Sequence, residues 1–301
     1  MPELPEVETI ARGLAQRVTG DVIDSVWLGQ KKEPLKSPAS EMAHVLEHSQ
    51  ISSVRRMGKH IVFDLARASN GGIQRRSRRK STNASEKPLA EAGRSVRRPQ
   101  NLTSQWIVHL GMTGRLQVCE SEADIAKHTH AILKLNSGRE LRFVDPRRFG
   151  RLSVAADGNF DVVGVEPLDV DLERFVALFR GRKTPIKSAL LNQKLLRGVG
   201  NIYADESLFR AGIRPRRKAA SITRDQLGRL FVAIKEVLRE AIKLGGSSIS
   251  DYVDADGEEG FFQLKHRVYG REGERCLVCK TPIKRVVIAG RSSHFCSKCQ
   301  K

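Results

Sequence analysis

The chain opens Met1-Pro2-Glu3-Leu4-Pro5-Glu6-Val7-Glu8. Removal of Met1 would leave Pro2 as an N-terminal secondary amine. Such an amine attacks an electrophilic carbon and forms an iminium with no N–H proton to lose, a strong electron sink for elimination. Glu3 and Glu6 stand beside it. Alone, they would be ordinary first-turn carboxylates, which the helix macrodipole favours. Beside a free α-amino group, with a reference pKa of about 8, a carboxyl can donate or shuttle protons. Pro2, Glu3 and Glu6 are therefore a candidate catalytic group.

The far end carries Cys276-x2-Cys279-x16-Cys296-x2-Cys299. Two such knuckles fit a tetrahedral Cys₄ zinc site with no open coordination position, so the metal is structural. The intervening stretch 280–295 reads as a β-hairpin with Arg291, in Ala289-Gly290-Arg291-Ser292, at its tip. A surface Arg is ordinarily a solvated charge; on a metal-pinned turn of a basic protein it is a candidate phosphate contact.

Four further stretches carry candidate chemistry. Lys59, in Arg55-Arg56-Met57-Gly58-Lys59-His60, is either a strand-edge lysine or a cation near a scissile phosphate. Asp145-Pro146-Arg147-Arg148-Phe149-Gly150 leaves a strand through a tight turn bearing two guanidiniums and a Phe, a combination suited to entering and unstacking a duplex. His109-Leu110-Gly111-Met112-Thr113-Gly114 offers Met112 as a second wedge, or simply a core Met. Leu196-Arg197-Gly198-Val199-Gly200-Asn201-Ile202 puts glycines before a helix, where backbone N–H groups can cradle a phosphate; Asn201 could equally be a helix cap.

The elements that must position these groups change character along the chain. Val7, Ile10, Leu14 and Val18 form a helical stripe over 5–19, followed by Gly20. Runs 22–28, 51–66, 105–119, 130–135 and 140–154 are β-branched and alternating, with a hairpin signal at Asn136-Ser137-Gly138. They imply an antiparallel β domain. After Glu166-Pro167-Leu168, segments 171–181, 184–193, 201–211 and 223–244 show helical faces, the last opening on the capping-box pattern Thr223-x-x-Gln226. The fold class expected is α+β and multidomain, ending in a zinc-stapled hairpin. Units of 2–165, 166–262 and 263–301 follow, with a mobile loop over 245–262. Segment 67–103, with ten Lys/Arg and two Glu over 67–98 and few large apolar residues, reads as a disordered basic insertion.

Composition narrows the partner. The formal charge is +19 with pI ≈ 10.1, which points to a polyanion, nucleic acid before membrane. There is no signal-peptide pattern and no run of 18 apolar residues, so a cytoplasmic location is expected. Five cysteines, four of them in the two knuckles, suit a reducing compartment, with Cys119 left as a core thiol on a strand.

Taken in order, these motifs, together with Val268-Tyr269-Gly270-Arg271, resemble the formamidopyrimidine-DNA glycosylase family over nearly the whole chain apart from 67–103. The resemblance implies an N-terminal β-sandwich, a helix-two-turn-helix domain and a zinc finger, acting as a monomer on double-stranded DNA with oxidised purines or abasic sites. It implies Pro2 as nucleophile at C1′, Glu3 as the acid for sugar opening, Glu6 in support, Lys59 as proton donor for β-elimination and Arg291 for δ-elimination. Met112, Arg147 and Phe149 would fill the gap left by the flipped base. His128, Arg148, Lys183, Lys187, Asn201, Tyr269 and Arg291 would hold phosphates, and loop 245–262 would close over the extruded base. One structural Zn²⁺ on Cys276, Cys279, Cys296 and Cys299 completes the set. The chain departs from the family pattern at the insertion, at Val165 where Pro is usual, and at Asn192 where Asp is common.

Two other readings stand beside this one. An endonuclease VIII-like enzyme for oxidised pyrimidines shares the fold, but typically opens Pro-Glu-Gly-Pro-Glu, against Leu4 here. A non-catalytic DNA-binding paralogue would have no use for Pro2, Glu3, Lys59 and Arg291 together.

Overall fold

The structure is a computed structural model that describes residues 1–31, 33–67, 104–248 and 258–301. Most of the expected insertion and the centre of the expected mobile loop lie outside the described residues.

Helix α1 (Leu4–Val18) forms where the apolar stripe predicts, with Pro5 in its first turn and Glu6 accepting from the Glu3 backbone N–H at 2.8 Å. Its buried face, Val7, Ile10, Leu14 and Val18, packs on a sandwich of two four-stranded antiparallel sheets. One sheet has the order β1-β6-β7-β5, the other β2-β3-β4-β8. Their strands are β1 (Ile23–Leu28), β2 (Ser49–Met57), β3 (His60–Arg67), β4 (Ser104–His109), β5 (Arg115–Glu120), β6 (Thr129–Leu135), β7 (Arg139–Val144) and β8 (Arg151–Ala155). Phe63, Trp106, Phe143 and Leu133 fill the space between the sheets.

Three of the expected strand runs each divide in two. Run 51–66 is the β2–β3 hairpin, folded at a two-residue turn between Met57 and His60, with Gly58 at φ +60°. Runs 105–119 and 140–154 each cross from one sheet to the other, at corners 110–114 and 145–150. Leu110, just past the end of β4, is as buried as a strand residue, so apolar periodicity alone does not mark that break. Helix α2 (Ala39–Leu46) was not expected; it buries only Met42 and Leu46, too short a stripe to read.

The helical core comprises α3 (Leu172–Ala177), α4 (Ile186–Leu191), α5 (Asn201–Arg210) and α6 (Arg224–Lys243). Thr223 accepts from the Gln226 backbone N–H, as the capping box requires. Leu4 at the start of α1 is buried in this second core, so the N-terminus is held between the sandwich and the helices. Strands β9 (Ile283–Ile288) and β10 (Arg291–Cys296) form the C-terminal hairpin. Ala289 and Gly290 both have positive φ, the geometry of a two-residue hairpin turn that follows the twist of its strands. Cys119 lies on β5 as expected, but it is half-buried at a sheet edge and outside the core.

Candidate active site

A cleft of about 560 Å³ lies where the start of α1, the β2–β3 turn, corner 110–114, the N-terminus of α5 and the β9–β10 turn converge. Glu3, Lys59, Met112, Asn201, Tyr269 and Arg291 all line it. Residues 288 positions apart thus meet at one surface. Pro2 and Glu6 are buried and do not line the cleft.

Glu3 is 3 % exposed, and its Oε1 accepts from the Ile202 backbone N–H at 3.1 Å. The N-terminus of α5 therefore cradles the chain's own carboxyl, where the sequence suggested a phosphate. A helix N-terminus selects for negative charge without distinguishing its source. Gly200 is the N-cap of α5, so Asn201 is not; it lines the cleft together with Tyr269 instead. Glu3 Oε2 has no partner among the described residues. Burial pushes the Glu3 carboxyl up to about 7, with Lys59 pulling it down and Glu6 adding to the rise. A carboxyl still half protonated at neutral pH, with one oxygen uncommitted, can act as a proton donor.

Glu6 is held from two sides. Its Oε1 accepts from the Tyr203 hydroxyl and from the Ser247 backbone N–H at 2.8 Å. Burial raises its carboxyl too, against the pull of these bonds. Tyr203 was missed from sequence because its place in the α5 pattern reads only as a buried apolar position. Lys59, at the tip of the β2–β3 hairpin, is 9 % exposed. Burial lowers its ammonium, Glu3 and Glu6 pull it back, and Arg291 lowers it further.

The two sheet-crossing corners form one rim. Asp145 is fully buried; its Oδ1 accepts from the Thr113 hydroxyl at 2.6 Å and its Oδ2 from the Gly150 N–H at 2.7 Å. A Cβ on Gly111 would come within 2.4 Å of the Phe149 backbone, so the Met112 corner is packed directly on the Phe149 corner. Met112 and Phe149 are exposed at 42 % and 51 % on this rim, with the Arg147 guanidinium 4.9 Å over the Phe149 ring. Two exposed apolar side chains and a guanidinium on one packed rim are suited to entering a gap in a partner. Arg148 is exposed, and so is His128, whose carbonyl accepts from the Asp145 N–H. Lys183 is exposed on the loop before α4.

Lys187 departs from its expected place. It is fully buried, paired with Asp205 at 2.7 Å and donating to the Ser292 carbonyl at 2.6 Å. Its ammonium is spent inside the protein, where it fixes the residue next to Arg291. Asp205 also accepts from the His294 N–H at 2.8 Å, so α4 and α5 together hold the hairpin. Glu206 does the same for Tyr269, accepting from the backbone N–H groups of Arg267, Val268 and Tyr269. The sequence gives no sign of these buried anchors.

The four sulfurs of Cys276, Cys279, Cys296 and Cys299 lie within 4.8 Å of one another. Tetrahedral zinc–thiolate bonds of about 2.3 Å need sulfurs about 3.8 Å apart, and the Cys276–Cys299 pair stands at 3.9 Å. Four thiolates leave no site for substrate, so this is one structural zinc. Chelating it, or replacing Cys279 with Ser, is expected to unfold the hairpin and displace Arg291. Affinity for duplex DNA should then fall about tenfold or more at physiological salt. Fluorescence anisotropy against measured metal content checks this; unchanged affinity in zinc-free protein would remove the hairpin from the DNA surface.

Comparison with known proteins decides the family. Residues 1–152 match the formamidopyrimidine-DNA glycosylase N-terminal domain, 163–253 the H2TH domain of the same enzymes, and 273–301 the zinc finger found in FPG and IleRS. The chain belongs to the formamidopyrimidine-DNA glycosylase family. It is a DNA glycosylase of base-excision repair with the family's lyase activity. The formamidopyrimidine-DNA glycosylase of Solibacter usitatus is 44 % identical over the full length of both chains, and that of Gluconobacter oxydans 39 %. The crystal structure of the Thermus thermophilus enzyme is 37 % identical with a TM-score of 0.79, over 99 % of this chain and 98 % of that one. A Lactococcus lactis enzyme in complex with abasic-site DNA is 29 % identical with a TM-score of 0.81, over 99 % of each chain. The sandwich, helix-two-turn-helix and zinc-finger plan expected of a glycosylase of this family is the one observed. No described helix is long and apolar enough to cross a membrane.

Proposed function

We propose that this glycosylase excises oxidised purines, 8-oxoguanine and formamidopyrimidines, from duplex DNA and then cleaves the strand through an imine at Pro2. The observation that carries the reading is the Glu3 carboxyl, its pKa near 7 and one oxygen uncommitted, in a cleft shared with Lys59 and Arg291 and immediately after Pro2. With Met1 removed, the Pro2 amine forms a bond to C1′ as the glycosidic bond breaks, and its N–H proton leaves with the base. Glu3 gives its proton to O4′ as the sugar opens, leaving an iminium. That electron sink acidifies C2′: loss of its proton to water expels the 3′ phosphate in β-elimination, and loss of the C4′ proton to water from the resulting conjugated iminium expels the 5′ phosphate in δ-elimination. Lys59 supplies the proton for the first elimination and Arg291 for the second.

Met112, Arg147 and Phe149 occupy the gap left by the extruded base, with Arg147 facing the orphaned cytosine. Extrusion costs a few kcal/mol of unstacking, which an inserted rim offsets. His128, Arg148, Lys183, Asn201, Tyr269 and Arg291 contact phosphates; Lys187 acts through Ser292. Ser247, in the described start of loop 245–262, is anchored on Glu6. The lesion class follows relatives that carry the formamidopyrimidine name and Lactococcus lactis complexes with Fapy-dG DNA. An enzyme of that kind has also been crystallised with an oxidised pyrimidine, which favours including those lesions as secondary substrates. We place the enzyme in the cytoplasm, at the nucleoid, as a monomer.

The test is borohydride trapping on duplex DNA with 8-oxoguanine opposite cytosine, using protein tagged only at its C-terminus. A covalent band mapping to Pro2 is expected. Processed, DNA-binding protein that gave no band would sink the imine route.

A further inference from the structure

Arg56 is 7 % exposed at its side chain and does not line the cleft, yet all three of its guanidinium nitrogens donate hydrogen bonds. Its Nε donates to Glu8 at 2.7 Å, and Nη1 and Nη2 donate to the two Glu166 oxygens at 3.0 and 2.7 Å. Nη1 also donates to the Gly58 carbonyl at 3.1 Å. Burying a guanidinium is costly unless its donors are largely matched, and here four acceptors come from three separate parts of the chain. Glu8 is on α1, the helix that Glu3 opens. Gly58 is the residue before Lys59. Glu166 lies on the segment leaving the sandwich and also accepts from Arg197 Nε at 3.3 Å.

Arg197 closes the ring. A Cβ on Gly58 would lie 3.4 Å from the Arg197 Cβ, so the Lys59 turn packs against the Arg197 side chain. Arg197 leads directly into Gly198, whose carbonyl accepts from the Leu4 N–H at 3.0 Å, and Gly200, which faces the Glu3 carboxyl. Arg56 therefore reaches Lys59 by one bonded step and Glu3 by two routes, one along α1 and one through Glu166 and Arg197.

We propose that Arg56, with Glu166, is a positioning residue for elimination: a buried clamp between sandwich and helices that holds the Lys59 turn at a fixed distance from Glu3. The inference rests on Lys59 acting in elimination as set out above. Lysine cannot replace it, because one ammonium lacks the planar fork that serves Glu8, Glu166 and Gly58 at once.

The test is a double-mutant cycle of Arg56→Lys and Lys59→Ala, read as single-turnover strand cleavage at a preformed abasic site. Alone, Arg56→Lys is expected to slow cleavage about tenfold or more, since displacing a reacting group by 1 Å can cost about a hundredfold. Its binding to duplex with an uncleavable abasic analogue should stay within about threefold of the parent, because no groove-facing charge is lost. In the Lys59→Ala background the Arg56 substitution should cost nothing further. Glu166→Gln, which keeps the side-chain shape, should show the same non-additivity with a smaller loss and serves if Arg56→Lys does not fold. Equal losses in both backgrounds would make Arg56 a support of the fold only and overturn the proposal. A Lys59→Ala enzyme that cleaved normally would instead overturn the role of Lys59, and the clamp's purpose with it.

Discussion

Replacing Glu3 with Gln is expected to abolish base excision and, at pH 8, to make the protein more stable. Gln keeps the size of the side chain and an oxygen for the Ile202 N–H, but it has no proton to give. Loss of a positioned general acid costs about 10²–10⁴-fold. Strand cleavage at a preformed abasic site should survive, because its open aldehyde needs no proton from Glu3 to open the sugar. The stability change follows from burial. In the folded protein the carboxyl titrates at about 7, against 4.5 for the free group. Between these values the native state holds a proton that the unfolded chain has released, so stability falls as pH rises through the window. Above it, the wild type carries a buried ionised carboxylate at a cost of about 3 kcal/mol, which Gln does not bear. Urea unfolding at pH 5 and pH 8 measures this: the variant's advantage should be small at the first and large at the second. An equal advantage at both would show that Glu3 is not held against its own ionisation. The wild-type excision rate should likewise decline above pH 7 as Glu3 loses its proton.

That combination of lost activity and gained stability shows what the site costs the fold, and it also shows why only part of the site was legible. Pro2 beside Glu3, and the two cysteine knuckles, declare their chemistry because the reacting groups are neighbours in the chain. The remaining contacts join residues that sequence cannot pair. Tyr203 reaches Glu6 and Ile202 reaches Glu3 across almost 200 positions. Periodicity says that Tyr203 is buried and nothing about its hydroxyl. Charge misled where the decisive quantity was burial: Lys187 has the chemistry of a phosphate contact but pairs with Asp205 in the interior. The rim residues were found because Asp145-Pro146-Arg147-Arg148-Phe149-Gly150 is dense in turn formers and guanidiniums. Asp145, which shapes that rim by bonding to Thr113 and Gly150, looked like turn punctuation.

Gly200 gives the most stringent check on the seat of Glu3. A Cβ there would fall 2.1 Å from the Glu3 Cδ and 2.4 and 2.5 Å from its two oxygens. The backbone is in an ordinary extended conformation, with φ at −127°, so alanine meets no conformational penalty. On entropy alone Gly→Ala would stabilise by about 0.4–1 kcal/mol. Any loss must therefore come from the collision. Relief requires either that the carboxyl leaves the N-terminus of α5 or that α5 withdraws, carrying Tyr203 away from Glu6. Both routes misplace the acid, and excision is expected to fall about a hundredfold, with overpacking costing about 1–3 kcal/mol. Gly228 provides the contrast: it lies inside α6, and an added methyl group would meet nothing within 4 Å. Gly228→Ala should gain about 1 kcal/mol from helix propensity and leave excision untouched. If the collision is with Glu3 itself, trimming Glu3 to Ala should restore the stability lost in Gly200→Ala. A Gly200→Ala enzyme with normal excision would mean that Glu3 works from some other position.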